Sequence, residues 1–240
     1  MTEKIFGSNV DWLSQHSVFP EYFRQQFYET GTVFPEFAAN IGGGQNIYNF
    51  AYYGLYNPFF LPAYFLPFVK MSDYIMLVSI LCLVADVVLF YKWTRNHGVS
   101  KGNSLTSILF LLAGPMIFHS YTHIMFVNYM PFLILSLMGT DRYFQKKKSG
   151  LLTGSVFLMI MTSFYFSIGG ILVLFIYGVF QYLDIQVPQQ PSTVLSRKTE
   201  KKSNCKELFS VRYFVLHSYF NSGYDEWIFV DTYSYGTSEG

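Results

Sequence analysis

The stretch Ser72-Asp73-Tyr74-Ile75-Met76-Leu77-Val78-Ser79-Ile80-Leu81-Cys82-Leu83-Val84-Ala85-Asp86-Val87-Val88-Leu89-Phe90-Tyr91 decides the fold class. At about 1.5 Å per residue these residues cover a hydrocarbon core about 30 Å thick, so the run reads as a membrane span. Composition agrees. Charged residues are 13% of the 240-residue chain and aromatics are 20%. A soluble domain carries about 25% charged residues, so a soluble globule is a poor fit and a multi-pass, all-α membrane protein is expected.

Outward from that run, Ser104 to Thr140 is long enough for two passes, with a break marked by Gly114-Pro115 and His119-Ser120-Tyr121-Thr122-His123. Leu151 to Leu183 repeats the arrangement, with Thr162-Ser163 and Gly169-Gly170 near its bend. Two helical hairpins after the first span give five spans. Upstream, Pro58 to Val69 is apolar but short. Pro58, Pro62 and Pro67 each remove a backbone donor, which suits an interfacial or re-entrant segment.

Charge orients the spans. Lys92, Arg95 and Lys101 follow the first, Arg142 and Lys146-Lys147-Lys148 the first hairpin, and Arg197, Lys198, Lys201 and Lys202 the second. The positive-inside rule makes all three cytoplasmic and residues 1–69 extracytoplasmic, although no signal peptide or spanning helix precedes them in this chain. Three regions result: an extracytoplasmic loop over 1–71, a transmembrane region over 72–183 and a polar tail over 184–240. The tail is expected to be poorly ordered from about Gln186 to Asn204, with a short strand or helix at Val211 to Leu216.

Sixteen basic and fifteen acidic residues nearly cancel, leaving no basic excess to hold nucleic-acid phosphates. Cys82 and Cys205 can build neither a disulfide framework nor a zinc cluster. The expected partners are therefore the bilayer and whatever the polar segment Asp11 to Pro58 binds. That segment mixes a carboxylate (Asp11), a histidine (His16), an arginine (Arg24), three adjacent glycines (Gly42 to Gly44) and many tyrosines.

The order Asp11-Trp12-x-x-Gln15-His16, Pro20-Glu21-Tyr22-Phe23, Gly42-Gly43-Gly44-x-Asn46-x-Tyr48-Asn49, Tyr52-Tyr53-Gly54-Leu55, His123-x-x-Phe126-x-Asn128-Tyr129-x-Pro131 and Phe164-Tyr165-x-Ser167-Ile168 resembles the bacterial YfhO membrane-protein family. The similarity runs from Gly7 to Leu183. Family members are longer and resemble the GT-C membrane glycosyltransferases. The resemblance implies a GT-C-like helical bundle that transfers sugar from a polyprenyl-phosphate carrier to an extracytoplasmic cell-surface polymer, such as lipoteichoic acid. In the family a first helix precedes the Asp-containing loop, and the pattern stops at Leu183. The chain thus reads as an N-terminal fragment with an atypical tail.

Asp11 is the candidate catalytic residue, because a carboxylate near the acceptor hydroxyl can act as general base and because Asp11 matches the acidic residue of the first external loop in GT-C enzymes. The competing reading is an N-cap. His16 and Arg24 could meet the donor phosphate, although Arg24 equally suits an ion pair with Glu21 or Glu29. Gln15, Asn46, Tyr48, Tyr52 and Tyr53 complete the candidate substrate-binding set. Tyr48, Tyr52 and Tyr56, four apart, would line one helix face and stack on a sugar, or settle in the headgroup belt. The glycine run reads better as a tight turn than as a phosphate loop.

Asp86 is the acid inside a span and would reach water or pair with Lys92. His119 and His123 suit polar packing at a bend better than metal binding, since no third ligand accompanies them. No cofactor is expected, and a divalent metal lacks support. The alternatives to a transferase are a transporter or flippase-like protein, whose broken helices the two hairpins resemble, and an inactive remnant.

Overall fold

Met71–Asn96 forms a 26-residue helix, α2, because nothing between Asp73 and Lys92 except Asp86 interrupts its apolar surface. In this computed structural model residues 7–8, 11–99 and 102–186 are described, the last three by backbone alone. The chain divides into two units, Met1–Pro188 and Gln189–Gly240, and every described residue belongs to the first. The tail expectations for Gln186 to Asn204 and Val211 to Leu216 therefore lie outside the described residues, apart from Gln186 itself, which ends a helix.

Before α2 come α1 (Val18–Thr30) and two residue-pair strands, β1 (Phe37–Ala38) and β2 (Gln45–Asn46). After it come α3 (Asn103–Leu111), α4 (Gly114–Thr122), α5 (Ile124–Lys146), α6 (Gly150–Thr162) and α7 (Phe164–Gln186). The fold is all-α and membrane-spanning. Among the described residues three helices, α2, α5 and α7, are long and apolar enough to cross a bilayer, and α3 with α4, bent by 46°, makes a fourth if counted as one span. The expected fifth crossing falls on α6, whose 13 residues reach about 20 Å, short of a core of about 30 Å.

The expected bend at Gly114-Pro115 is where α4 begins, with proline at the first turn, and a second break follows at His123. Ser163 breaks α6 from α7 in the same way: both residues are extended, at φ −129° and −159°. The threonine before each break, Thr122 or Thr162, donates its hydroxyl four residues back, to Phe118 O or Leu158 O. Phe126 and Phe166, three residues past their breaks, meet edge to face at 5.3 Å. The two breaks thus sit together in space.

Helix α5 is the inner one: 67% of its spanning window is buried, against 28% for α2 and 17% for α7. Small residues bring α6 onto it. Ser136 Oγ donates to Ser155 Oγ at 2.9 Å, and a Cβ on Gly139 would stand 2.7 Å from Leu152 Cα, the close backbone approach that small residues permit between membrane helices.

The segment 11–70 packs as a cap on the starts of α2 and α5. Trp12, Phe23, Ile47, Leu55, Phe60 and Tyr64 are buried in one cluster with Met71, Ile75, Ile124 and Met125, each large side chain contributing about 1.5–3 kcal/mol by leaving water. The three glycines form the turn expected of them, with φ of 60°, 81° and 97°. At φ 97° Gly44 holds a conformation that other residues adopt only with strain, and a Cβ there would also push on the Phe37 ring tip at 2.6 Å. Pro58 to Val69 does not span. It contains a short 3₁₀ helix, Leu61–Phe65, and leaves Phe65 and Phe68 exposed just before α2.

Candidate functional site

Asp11 opens a short π-helical segment, Trp12–His16, and sits at its N-cap position without a side-chain cap hydrogen bond. The capping reading is therefore not the one the side chain adopts. Its Oδ2 instead faces His123 Nε2 at 3.8 Å, within ion-pair range and beyond hydrogen-bond length. Ser8 N donates to Tyr121 O at 2.8 Å, and Leu13 N donates to Ser8 O, so the chain before and after Asp11 is tied to the end of α4. Both partners are half-buried, open enough to meet a substrate.

His123 lies at the break between α4 and α5, where its Nδ1 is 3.1 Å from His119 Nδ1 and 2.9 Å from Thr122 Oγ1. The pair packs as polar groups at a bend, as the four-residue spacing suggested. Thr122 gives its one hydroxyl proton to Phe118 O, so toward His123 it can only accept. His123 Nδ1 can donate to Thr122 Oγ1 or accept from His119 Nδ1, and Nε2 faces the Asp11 carboxylate. Among the described residues no group of three His, Cys, Asp or Glu could hold a metal ion.

His16 stands beside this pair, its ring 5.9 Å from His123 and 6.1 Å from Tyr53. Burial, then the neighbouring His123, lowers its pKa from 6.5 to about 4, with Asp11 opposing. His16 is thus neutral at physiological pH and would meet a phosphate through a hydrogen bond rather than a charge. Its Nδ1 is buried without a hydrogen-bond partner among the described residues. Tyr52 joins from the other side, meeting Phe164 and Tyr165 edge-on at 6.3 and 6.0 Å. Burial raises the Tyr52 hydroxyl pKa, with Tyr53, Tyr165 and Asp11 adding to the shift.

The other sequence candidates lie elsewhere. Arg24 is buried and committed: Nη1 donates to Leu66 O and Val69 O at 3.2 and 2.8 Å, and Nη2 pairs with Glu21 at 2.5 Å. It fastens the proline-rich segment, so the ion-pair reading holds and the Arg24 guanidinium is engaged away from Asp11. Gln15 contributes its backbone carbonyl, which accepts from Ser17 N. Asn46 caps the 3₁₀ helix Ile47–Tyr53 by accepting from Tyr48 N. In a three-residue turn, positions four apart diverge by about 120°. The expected tyrosine face accordingly splits: Tyr48 stacks on Tyr56 at 6.2 Å, while Tyr52 turns to α7.

These features bring the aspartate loop, the histidine bend and the Phe164-Tyr165 motif together. The family described as bacterial membrane protein YfhO matches residues 3–235. The chain belongs to the YfhO family. That match extends past Leu183, where the sequence pattern was expected to stop, so most of the tail falls within the matched span. Comparison with curated proteins and with solved structures finds no match.

This YfhO-family chain carries a second carboxylate cluster that sequence reasoning missed. Asp141 of α5 accepts from Trp93 Nε1 at 3.0 Å, Tyr177 Oη at 2.5 Å and Gln181 Nε2 at 3.0 Å, and stands 3.4 Å from His97 Nε2. The spacings Trp93-x-x-x-His97 and Tyr177-x-x-x-Gln181, polar pairs on one face at the ends of apolar helices, were the available signal. Asp86 also departs from expectation. It is fully buried, and neither carboxylate oxygen has a hydrogen-bond partner among the described residues. Lys92, six residues on, lies about 120° around the helix and is exposed, so it cannot pair.

Proposed function

We propose that this chain belongs to the catalytic end of a GT-C-like glycosyltransferase that moves a sugar from a polyprenyl-phosphate carrier to an extracytoplasmic cell-surface polymer, lipoteichoic acid being one such acceptor. The observation that carries the reading is the Asp11 carboxylate, free of a capping bond and facing Nε2 of His123. An acceptor hydroxyl attacks the anomeric carbon, the new C–O bond forms, and the carrier phosphate leaves with the electrons of the old one. The hydroxyl proton passes to Asp11, a base with His123 beside it as its orienting partner. Neutral His16 offers the donor a hydrogen bond rather than a charge. Residues 1–69 lie outside and the Lys146 to Lys148 turn inside, as the basic residues imply. Impermeant labelling of single cysteines at positions 30 and 147 in intact cells tests this: labelling at 147 with protection at 30 reverses it.

The chemical test is Asp11→Asn in the full chain, assayed in membranes with a radiolabelled polyprenyl-phosphate sugar. The amide keeps size and capping ability but cannot take a proton, so transfer falls about 100- to 10,000-fold while donor binding stays. Transfer within a few-fold of wild type removes Asp11 from the base role and makes Glu21 the candidate. A carrier-flipping activity is the second reading, favoured by buried Asp86, whose carboxylate has no hydrogen-bond partner among the described residues. It requires Asp86→Asn, and not Asp11→Asn, to stop the movement of a labelled lipid carrier.

A further inference from the structure

Ile75, Ser79, Cys82 and Asp86 recur at three- and four-residue spacing and form one stripe along α2, with exposures of 0%, 0%, 3% and 0%. That stripe is where α2 meets its neighbours. Cys82 packs with Val78 and with Val127 of α5. Leu83, three residues before Asp86, packs against a cluster holding Tyr129 and Leu133 of α5, as do Phe110 and Ala113. Phe90, four residues after Asp86, stacks on Phe110 of α3 at 4.3 Å. The side chains one turn to either side of the carboxylate are therefore packed into apolar surroundings, and neither of its oxygens has a hydrogen-bond partner among the described residues.

No cation balances it there. Among the described residues no Lys, Arg or His pairs with Asp86. Lys92 and Arg95, later on α2, are exposed, and α3 and α6 carry no titratable side chain. His119 and His123 stand beside Asp11 at the start of α5, and His97 and Tyr177 gather at Asp141 toward its other end. The titratable groups within electrostatic reach are Cys82 of α2 and Tyr129 of α5. Both are neutral until they lose a proton, so neither can offset a negative charge. An ionised Asp86 would give up its hydration and gain no partner, a cost of several kcal/mol. A metal ion needs several ligands, and among the described residues no group of three His, Cys, Asp or Glu could supply them. One proton neutralises the carboxylate and needs no ligand beyond its own oxygen.

We propose that Asp86 is an intramembrane proton-binding site whose occupancy keeps α2 packed on α5. In the packed state one carboxylate oxygen carries the proton in an O–H bond. When that bond breaks, the proton returns to water, and the charge left behind draws water into the stripe and loosens α2 from α5 around Asp86. The site is separate from the Asp11 chemistry and holds under sugar transfer and under carrier movement alike.

The experiment uses the full chain in lipid nanodiscs and takes the infrared difference between wild type and Asp86→Asn across a pH series. At neutral pH the wild type shows the C=O band of a protonated carboxyl, which Asp86→Asn lacks and Asp86→Glu retains. At alkaline pH that band gives way to carboxylate bands. Where Asp86→Asn does not fold, isotope-labelled aspartate assigns the band: it moves in the wild type and stays in place in Asp86→Glu. Cys82, one turn away, reports the packing. A water-soluble maleimide, mapped peptide by peptide to separate Cys82 from Cys205, modifies Cys82 about tenfold or more faster in the alkaline wild type than in Asp86→Asn at the same pH. Carboxylate bands from Asp86 at neutral pH, or equal Cys82 rates in the two proteins at alkaline pH, overturn the proposal.

Discussion

Two aspartates face histidines at the two ends of α5, and they are solvated by the protein in opposite ways. His123 and Asp141 are 18 positions apart, about 27 Å along the helix axis. At the far end Asp141 accepts from Trp93, Tyr177 and Gln181, with His97 at 3.4 Å, so α2, α5 and α7 are tied through one carboxylate. At the near end Asp11 has no cap bond and meets His123 at 3.8 Å, and the Nδ1 of His16 has no hydrogen-bond partner among the described residues. A saturated network fixes geometry. A carboxylate with spare acceptor capacity can still take a proton from something else, and the proposed function accordingly puts chemistry at Asp11 and architecture at Asp141.

The sharpest way to break the comparison is to make the same substitution at both ends. Asp11→Asn lowers sugar transfer by about 100- to 10,000-fold and leaves thermal unfolding in detergent nearly unchanged. Asp141→Asn reverses the pattern: transfer per folded molecule persists, while stability drops by about 1–3 kcal/mol because donors lose a charged acceptor. If Asp141→Asn abolishes transfer in protein that unfolds at the wild-type temperature, the division of labour is wrong.

A pH series sharpens the Asp11 side. The unfolded chain protonates His16 near 6.5 and the folded one only near 4. Between those values the unfolded state binds more protons, so stability is present above 6.5 and is lost as pH falls toward 4. The unfolding midpoint of the wild type should therefore fall between pH 7 and pH 5 more steeply than that of His16→Phe. Parallel slopes would mean that His16 is solvated in the folded protein.

The smallest effect is expected at Asn46, a residue the sequence offered as a substrate contact. Asn46→Ala removes the cap on Ile47–Tyr53 and costs about 0.5–2 kcal/mol of stability, with KM for the donor unchanged. A raised KM without lost stability would return Asn46 to the substrate-binding set.

Particular residues show how far the sequence could be read. The span at Met71–Asn96 and the glycine turn were legible because each follows from local rules, apolar length in one case and positive φ in the other. Asp11 stood out because it is an acid in a polar loop beside a membrane block. Arg24 was ambiguous, since phosphate and backbone carbonyls both satisfy a guanidinium, and only the positions of Leu66 O and Val69 O decided it. The tyrosine face failed because four-residue spacing aligns side chains on an α-helix and not on the 3₁₀ helix that Gly54, at φ 98°, closes.

By itself the sequence determined the solvent this protein folds in and its family, since hydrophobic length and motif order are properties of the chain alone. Tertiary structure decided what each polar residue is for. Asp11 and His123 lie more than a hundred positions apart, and the Asp141 network joins α2, α5 and α7. No local pattern encodes such meetings, because they depend on which helices break and which faces then pack. Once buried, a polar group's role is set by how many partners it finds, and that number exists only in the folded protein.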